Sequence, residues 1–244
     1  MQTVPRFEKS SKRKGRKARR VLATPQLQLE TLFVLDHQER ILSTRAMQSS
    51  PGPAFILIRG ATSLAWAVRA DVPRAVAGEL DDLARQELPS LLREPPLHAR
   101  HYQDLLRGRV RWGPAFEFPE VADTPAGVIS IHDEALLQRH FSGWIAGEIE
   151  ASSSPMMAVS VEGYPVSVCF CARRSAAAAE AGLETAAAFR GRGYGPRVTT
   201  AWAEAVRESG RMPLYSTDWA NTASLAVAQK LGLRTYATDW SIEG

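Results

Sequence analysis

A glycine-rich segment between a predicted strand and a predicted helix constrains the fold of this 244-residue chain more than any other feature. Residues 189–195 read Phe-Arg-Gly-Arg-Gly-Tyr-Gly, and glycine allows backbone dihedrals and close approaches that other residues forbid. The helix that follows is anchored by an apolar face made of Val198, Ala201, Trp202, Ala205 and Val206. Its first N–H groups therefore point at the loop, where they and the helix dipole favour phosphate oxygens.

Two arginines inside this loop, Arg190 and Arg192, can add charge-assisted contacts to such an anion. A tight turn with solvated arginines is the alternative interpretation of the same residues. The spacing is neither Gly-x-Gly-x-x-Gly nor Gly-x-x-x-x-Gly-Lys-Ser/Thr, which disfavours Rossmann and Walker nucleotide sites.

The sequence around the loop predicts an α/β arrangement. Asp133 is expected to cap a helix whose apolar stripe is Leu137, Phe141, Trp144, Ile145 and Ile149. The elements predicted after this helix are a hairpin of Met157–Val161 and Pro165–Ala172, a strand at Glu180–Thr185, a helix to Ser209, a strand at Met212–Ser216, a helix at Thr222–Leu231 and a strand at Arg234–Thr238.

The first half of the chain predicts a smaller ββββα module. One hairpin is expected around Leu32–Leu35 and Arg40–Leu42, and a second around Ala54–Ile58 and Leu64–Val68. A helix opened by Pro73 follows, and a short helix near Tyr102–Leu106 and a strand near Pro114–Phe118 complete the module. The predicted divisions are therefore a tail at 1–24, this α+β module at 25–125 and a second domain at 126–244.

The positive charge of the chain is concentrated in its first twenty residues. These hold nine basic side chains against Glu8, a net charge of +8, so the total of +4 leaves −4 for residues 21–244. Such a run is typical of a disordered tail with weak affinity for polyanions, and either a merely solvated tail or contact with nucleic acid fits it.

The composition favours a cytoplasmic protein without a metal. No apolar run is long enough to cross a bilayer, and no apolar segment follows the basic N-terminus as in a secretory signal. Cys169 and Cys171 alternate in a predicted strand and are expected to be reduced and packed as small apolar residues. The histidines show no metal-ligand spacing.

The loop and a second segment together resemble the GCN5-related N-acetyltransferase (GNAT) superfamily. The run Arg190-x-x-Gly193-x-Gly195 is similar to the Arg/Gln-x-x-Gly-x-Gly/Ala motif of that superfamily. Residues 221–225 (Asn-Thr-Ala-Ser-Leu), followed by Lys-Leu-Gly-Leu at 230–233, are similar to its Asn-x-x-Ser/Ala segment and the Lys-Leu-Gly-Phe that closes it. The resemblance covers residues 155–240 and implies a mixed, mostly antiparallel sheet flanked by helices.

The resemblance also implies how acetyl-CoA, as the acyl donor, would bind. The pyrophosphate would lie on the loop residues Arg190, Gly191, Arg192, Gly193, Tyr194 and Gly195. The pantetheine arm would pair with the exposed strand at Leu183, Glu184 and Thr185, where this strand splays from the next. Asn221 would hydrogen-bond the arm, and Ser224 is the next candidate. The alternative interpretation is structural: Asn221 would only cap the helix, and Ser224 would only be a residue of its first turn.

The candidate catalytic residues are less well defined. Many relatives carry a tyrosine in the last helix as the general acid, and the residue at that position is Ala228. Tyr215, Ser216 or water is expected to act as the general acid instead. Alternatively the thiolate leaves unaided, since its conjugate acid has a pKa of about 8.5. Glu184 and Glu180 lie four apart in one strand and are the candidate bases, with a structural carboxylate paired to an arginine as the alternative.

The resemblance therefore implies an N-acyltransferase that moves an acetyl group from acetyl-CoA to an amine of a small molecule or peptide by direct transfer. Two other functions remain open: a catalytically degenerate protein that binds acyl-CoA, and a nucleic-acid-associated protein that acts through its tail. The expected partners are acyl-CoA and an amine acceptor. No association with a membrane is expected, and the chain could form a homodimer.

Overall fold

The computed structural model describes residues 22–120 and 125–244 as a mixed α/β fold. The predictions for residues 1–20 lie outside the described residues. The helices are α1 (Pro25–Leu32), α2 (Arg74–Ala84), α3 (Ala99–Leu106), α4 (Tyr194–Glu208) and α5 (Thr222–Lys230). The strands are β1 (Phe33–Leu35), β2 (Ile41–Thr44), β3 (Phe55–Gly60), β4 (Leu64–Val68), β5 (Arg109–Glu117), β6 (Ile129–Ser130), β7 (Met157–Val161), β8 (Tyr164–Arg174), β9 (Ala178–Thr185), β10 (Met212–Ser216) and β11 (Arg234–Glu243).

Nine of these strands form one twisted sheet in the order β4-β3-β11-β5-β10-β9-β8-β7-β6, and β1 and β2 form a small separate hairpin. Strands β9 and β10 are parallel, whereas the other paired strands of the large sheet are antiparallel. The mostly antiparallel sheet flanked by helices confirms the predicted fold class. The division at 125/126 stays a prediction, and strands from both sides of it hydrogen-bond in the same sheet.

Helices cover both faces of the sheet because its strands alternate apolar side chains between the faces. On β3, Phe55 and Leu57 pack with α2 and α3, while Ile56 and Ile58 pack with α1. Helix α4 buries its predicted stripe, including Trp202, against β7, β8 and β9. Cys169 and Cys171 lie in this core as free thiols, as expected from their alternation on β8.

Helix α1 was not predicted from the sequence. Thr24 caps it by accepting a hydrogen bond from the backbone N–H of Leu27, and Pro25 occupies its first turn. Leu29 and Leu32 are buried against β3 and β4. The N-terminal part is therefore αββββα rather than ββββα.

The predicted helix after Asp133 is wrong. Asp133 does cap a turn, by accepting a hydrogen bond from the N–H of Ala135, but only a 3-10 turn at Glu134–Leu136 follows. The chain then runs through turns to a π-helical turn at Ile149–Ser153. Gly143 and Gly147 have φ of 105° and 85°, which a right-handed helix excludes.

The apolar stripe of that segment is nevertheless mostly core. Four of its residues are buried against the face of β7 and β8 opposite to α4: Leu137, Phe141, Trp144 and Ile149. Ile145 is the exception, because its side chain is 68% exposed. The segment thus covers the sheet without regular helix. None of the helices among the described residues is long and apolar enough to cross a membrane.

Candidate functional site

The two central parallel strands part at one end. Strands β9 and β10 pair at three positions, and the last of these joins Glu180 to Leu214. Beyond that point β9 continues to Thr185 with β8 as its hydrogen-bonding neighbour, while Ser216 on β10 pairs with β5. The opening between the two strands is a wedge that leaves strand backbone available to a ligand.

The glycine loop lies at the mouth of this wedge. Gly191 and Gly193 have φ of 76° and 77°, a left-handed conformation that disfavours L side chains. Gly193 is the N-cap residue of α4 and has no side chain with which to cap the first turn. The first-turn N–H groups of α4 can therefore serve an anionic ligand.

The two loop arginines fold back on the loop. Arg190 Nε donates to the carbonyl of Thr185 at 3.2 Å, and Arg192 Nη2 donates to the carbonyl of Ala188 at 3.1 Å. The Arg192 guanidinium also lies over the Phe189 ring, 5.2 Å from its centroid. These contacts hold two positive charges beside the N-terminus of α4.

A first cleft of about 860 Å³ joins the wedge to the loop. Ten of the residues predicted to contact the acyl donor line it: Leu183, Glu184, Thr185, Arg190, Gly191, Gly193, Tyr194, Gly195, Asn221 and Ser224. Arg192 does not line it. His140, Phe141 and Ser142 also line this cleft and were not predicted as site residues, and Lys230, which belongs to the Lys-Leu-Gly-Leu motif, lines it as well. Phe141 was assigned to the core, and lone polar residues in a segment with the wrong predicted structure gave no signal.

Asn221 and Ser224 lie at the start of α5. The Asn221 side-chain carbonyl accepts a hydrogen bond from the backbone N–H of Ser224 at 3.1 Å, so Asn221 is a helix cap. Both residues line the first cleft and also a second one. The start of α5 therefore lies between two clefts.

The second cleft, of about 720 Å³, opens beside β10 and β11 and is partly lined by the first half of the chain. Leu32, Phe33, Ile56 and Arg69 contribute from that half. Its polar residues include Arg111, Arg173, Ser216, Asp218, Asp239 and Glu243. Asp239 was not predicted as a site residue, because an isolated carboxylate belongs to no sequence motif.

Glu180 is held in a buried network at the point where the strands part. It is 2% exposed and accepts hydrogen bonds from Gln28 Nε2 at 3.3 Å, from Arg173 Nη1 at 3.1 Å and from the Ser216 hydroxyl. The two predicted catalytic residues Glu180 and Ser216 are thus brought together. Both carboxylate oxygens already accept hydrogen bonds.

Glu184 lies apart from Glu180, on the exposed end of β9 within the first cleft. Partial desolvation by its surroundings raises the pKa of this carboxyl group above its usual value. The structure therefore separates the two candidate bases between the mouth of the wedge and its closed end.

Tyr215 is buried on β10, where its ring packs with Phe116 at a centroid distance of 6.3 Å. Burial raises the pKa of its phenol, and the side chain of Ser224 interacts with it. Ala228, at the position where many relatives have tyrosine, is buried in the same core. Ala228 therefore supplies no polar side chain to the wedge.

Metal binding has no candidate centre in residues 22–120 and 125–244. No group of three or more His, Cys, Asp and Glu side chains there is arranged to hold an ion.

A splayed pair of parallel strands, a glycine loop and a helix N-terminus without a side-chain cap define an α/β protein with an open cleft at the end of two parallel strands. Residues 171–241, less than a third of the chain, match the family model described as FR47-like protein, which is related to the GNAT superfamily. Comparison with curated proteins gave no match.

Several solved structures are similar to this one. An acetyltransferase from the GNAT family of Colwellia psychrerythraea is 14% identical over 75% of this chain and 78% of that chain, with a TM-score of 0.46. A GCN5-related N-acetyltransferase of Kribbella flavida is 16% identical over 90% of this chain and 94% of that one, with a TM-score of 0.45. A GCN5-related N-acetyltransferase of Sphaerobacter thermophilus is 13% identical over 78% and 76%, with a TM-score of 0.43. Because these scores are below 0.5, the likeness to these structures carries no argument about the family or function of this chain.

Proposed function

We propose that this protein is an acyl-CoA-dependent N-acyltransferase that moves an acetyl group from acetyl-CoA to an amine of a small molecule or peptide. The observation that carries the proposal is the parting of β9 and β10 directly beside the glycine loop and the N-terminus of α4. The family-model match of residues 171–241 supports acyl transfer as the chemistry.

The first cleft is the proposed donor site. The N–H groups at the start of α4 are suited to the pyrophosphate, with Arg190 and Arg192 beside them. Gly195 faces Leu183, Thr185 and Val227 across the wedge, at 3.6–3.9 Å from the place of an added Cβ, so a pantetheine arm passes where a larger side chain would stand. The strand backbone from Leu183 to Thr185 is the proposed partner of that arm.

The second cleft is the proposed acceptor site. It meets the first cleft at Asn221 and Ser224, and it includes Ser216 at the closed end of the wedge. A thioester that enters from the loop side would thus face an amine that enters from the other side. Its lining by Leu32, Phe33 and Ile56 gives the first half of the chain a role in shaping the acceptor site.

Direct transfer needs a neutral amine. The amine nitrogen attacks the thioester carbonyl carbon, the C–N bond forms, the C–S bond breaks, and one N–H proton is lost as the thiolate leaves. An alkylamine with a pKa near about 10.4 is neutral in only about one molecule per thousand at pH 7, so a proton acceptor in the site accelerates the reaction. Tyr215 and Ser216 remain the predicted proton donors to the thiolate, and Glu184 and Glu180 the bases predicted from the sequence.

One observation favours a second candidate, a binding protein that holds acyl-CoA without turnover. Ala228 replaces the tyrosine that many relatives use as general acid, and its surroundings are apolar core. The two candidates differ in whether the thioester is consumed.

Coenzyme A release from acetyl-CoA, measured over aminoglycosides, polyamines, amino acids and basic peptides, separates the two functions. A transferase releases free thiol in proportion to an acetylated amine identified by mass spectrometry. Saturable binding of acetyl-CoA with no acetylated product from any amine would support the binding protein instead.

A further inference from the structure

Asp239 is the carboxylate of the second cleft that lies within the sheet. It stands on β11 between Gly113 of β5 and Ile58 of β3, in the middle of three hydrogen-bonded strands. Its side chain is partly buried and accepts a hydrogen bond from the backbone N–H of Gly113. Burial together with the nearby Glu180 raises its pKa to about 7, which this hydrogen bond and Arg173 partly oppose. An acidic side chain at such a place is costly to keep charged, and a cationic ligand group would offset that cost.

The charged groups around Asp239 come from several elements. Glu180 on β9 and Arg173 on β8 interact with each other and with Asp239. The outer part of the cleft holds Arg111 paired with Glu243 at 3.5 Å. The remaining charged residues that line the cleft are Arg69, which pairs with Asp71, and Asp218, which accepts the N–H of Ala220.

The other two carboxylates near the wedge are less suited to receive an amine. Glu180 has both oxygens engaged by Gln28, Arg173 and Ser216, so its geometry is that of a positioning residue. Glu184 lies in the first cleft, on the side that we assign to the acyl donor. Asp239 is in the second cleft, together with Ser216, Asn221 and Ser224.

We propose that Asp239 is the residue that binds the acceptor's protonated amine in the second cleft and takes a proton from it before the amine attacks the thioester. This inference rests on the proposed transferase function and assigns to it a primary alkylamine, cationic at neutral pH, as the acceptor class. A carboxylate that titrates near the working pH is matched to this proton transfer.

The proton balance of the step is complete. The ammonium group of the acceptor gives one proton to the Asp239 carboxylate and becomes a neutral amine. The neutral amine forms the C–N bond and expels the thiolate, and the second N–H proton of the adduct goes to the thiolate sulfur. Asp239 then returns its proton to water through the open cleft.

Two amines of similar shape test this role. Ethylamine is protonated at neutral pH, whereas 2,2,2-trifluoroethylamine is mostly neutral and needs no base to free its lone pair. With the full chain and saturating acetyl-CoA, Asp239→Asn should lower kcat/KM for ethylamine about a hundredfold or more and for trifluoroethylamine by less than about tenfold. Glu243→Gln, which changes another carboxylate of the same cleft, should affect both amines alike.

A second measurement does not depend on the variant being folded. The wild-type pH profile of kcat/KM should fall below about pH 7 with ethylamine, and this fall should be absent with trifluoroethylamine.

The fold of the variant is checked separately. Acetyl-CoA should still raise the melting temperature of Asp239→Asn, because the residue lies outside the proposed donor cleft.

The possible outcomes separate a failure of the role proposed for Asp239 from a failure of the proposed transferase function. An equal loss with both amines, no loss with either, or an amine-selective loss in Glu184→Gln instead of Asp239→Asn would overturn the role of Asp239 and leave the transferase in place. Acetyl-CoA binding without turnover of any amine by the wild type would contradict the transferase function itself, and the role of Asp239 with it.

Discussion

At the scale of single residues, the closed end of the wedge is organised by Glu180. This carboxylate joins α1 through Gln28, β8 through Arg173 and β10 through Ser216. The Tyr236 hydroxyl donates in turn to the Gln28 side-chain carbonyl, so the network extends to β11. A buried charge satisfied from three elements fixes their positions at the cost of desolvation.

Asp239 should make the stability of the protein depend on pH. Its pKa is raised from 3.8 to about 7 in the folded protein, so the folded state binds the proton more tightly than the unfolded chain. The stabilisation that this gives is fully present below the unfolded pKa and is lost as the pH rises through about 7. The wild type should therefore lose stability relative to Asp239→Asn as the pH rises. The difference between their free energies of unfolding should shift in favour of the variant by at most about 4 kcal/mol from pH 4 to pH 8.

Urea unfolding of both proteins at several pH values measures this difference directly. A difference that stays constant across the pH range would show that Asp239 titrates alike in the folded and unfolded states.

The residue scale also shows what the sequence can reveal about the site. Gly191, Gly193, Gly195 and Asn221 were found because each belongs to a local pattern of turn or cap residues. Arg173 and Asp239 were not found as site residues, because they join the second cleft only through strand pairing between distant parts of the chain. Pairing of that kind leaves no short-range signal.

At the scale of elements, the start of α5 stands between the two clefts. Asn221 caps this helix, and its first turn sets the position of Ser224. The cap therefore links the stability of α5 to the geometry of the junction between the two clefts.

Replacement of the cap should be measurable in the stability of the whole protein. Asn221→Ala removes the hydrogen bond to the Ser224 N–H and should lower the free energy of unfolding by about 1 kcal/mol. Asn221→Asp keeps a capping oxygen and should stay within about 0.5 kcal/mol of the wild type. Equal stability of all three proteins in chemical denaturation would show that the cap contributes nothing.

Elements with strong periodicity were well predicted, and one with a misleading pattern was not. The bounds of β7 and β10 agree with the prediction, since turn residues such as Gly163 and Gly210 lie beside these strands. The segment after Asp133 has helical spacing of apolar residues, yet its glycines at 143 and 147 adopt positive φ and break the helix. Apolar spacing identified four buried residues of the five-residue stripe, all but the exposed Ile145, but it did not predict the backbone.

At the scale of the whole molecule, the large sheet unites the two halves of the chain. Strand β11 pairs with β3 and β5, and β5 pairs with β10. The sequence predicted the fold class from local order, but the strand order depends on contacts distant in sequence. The short helix α1 illustrates the same limit, because its burial against β3 and β4 outweighs a weak local helical signal.

Truncation should separate the basic tail from the folded body. Deletion of residues 1–20 removes only residues too charged to contribute to a core, so the melting temperature and the acetyl-CoA affinity should hardly change. Deletion of residues 1–32 also removes the buried Leu29 and Leu32 and the Gln28 contact to Glu180, and should cost several kcal/mol, about 2–5 for each buried leucine at most.

Calorimetric unfolding of both truncated chains gives the comparison. A large fall in melting temperature after removal of residues 1–20 alone would show that the tail contributes to the fold. Retention of DNA or RNA by the full chain, lost in that variant, would assign polyanion binding to the tail.

The most direct test of the donor site is a calorimetric titration of acetyl-CoA into the wild type, Gly193→Val and a matched variant, Gly163→Val. Both glycines have positive φ, 77° and 81°, and open space around them, but only Gly193 lies in the first cleft. The wild type and Gly163→Val should bind one acetyl-CoA alike and gain about 2.7 kcal/mol of stability at a hundredfold excess over the dissociation constant, whereas Gly193→Val should stay folded without this gain. Equal binding by both variants, or no binding by the wild type, would contradict the placement of the donor at the glycine loop.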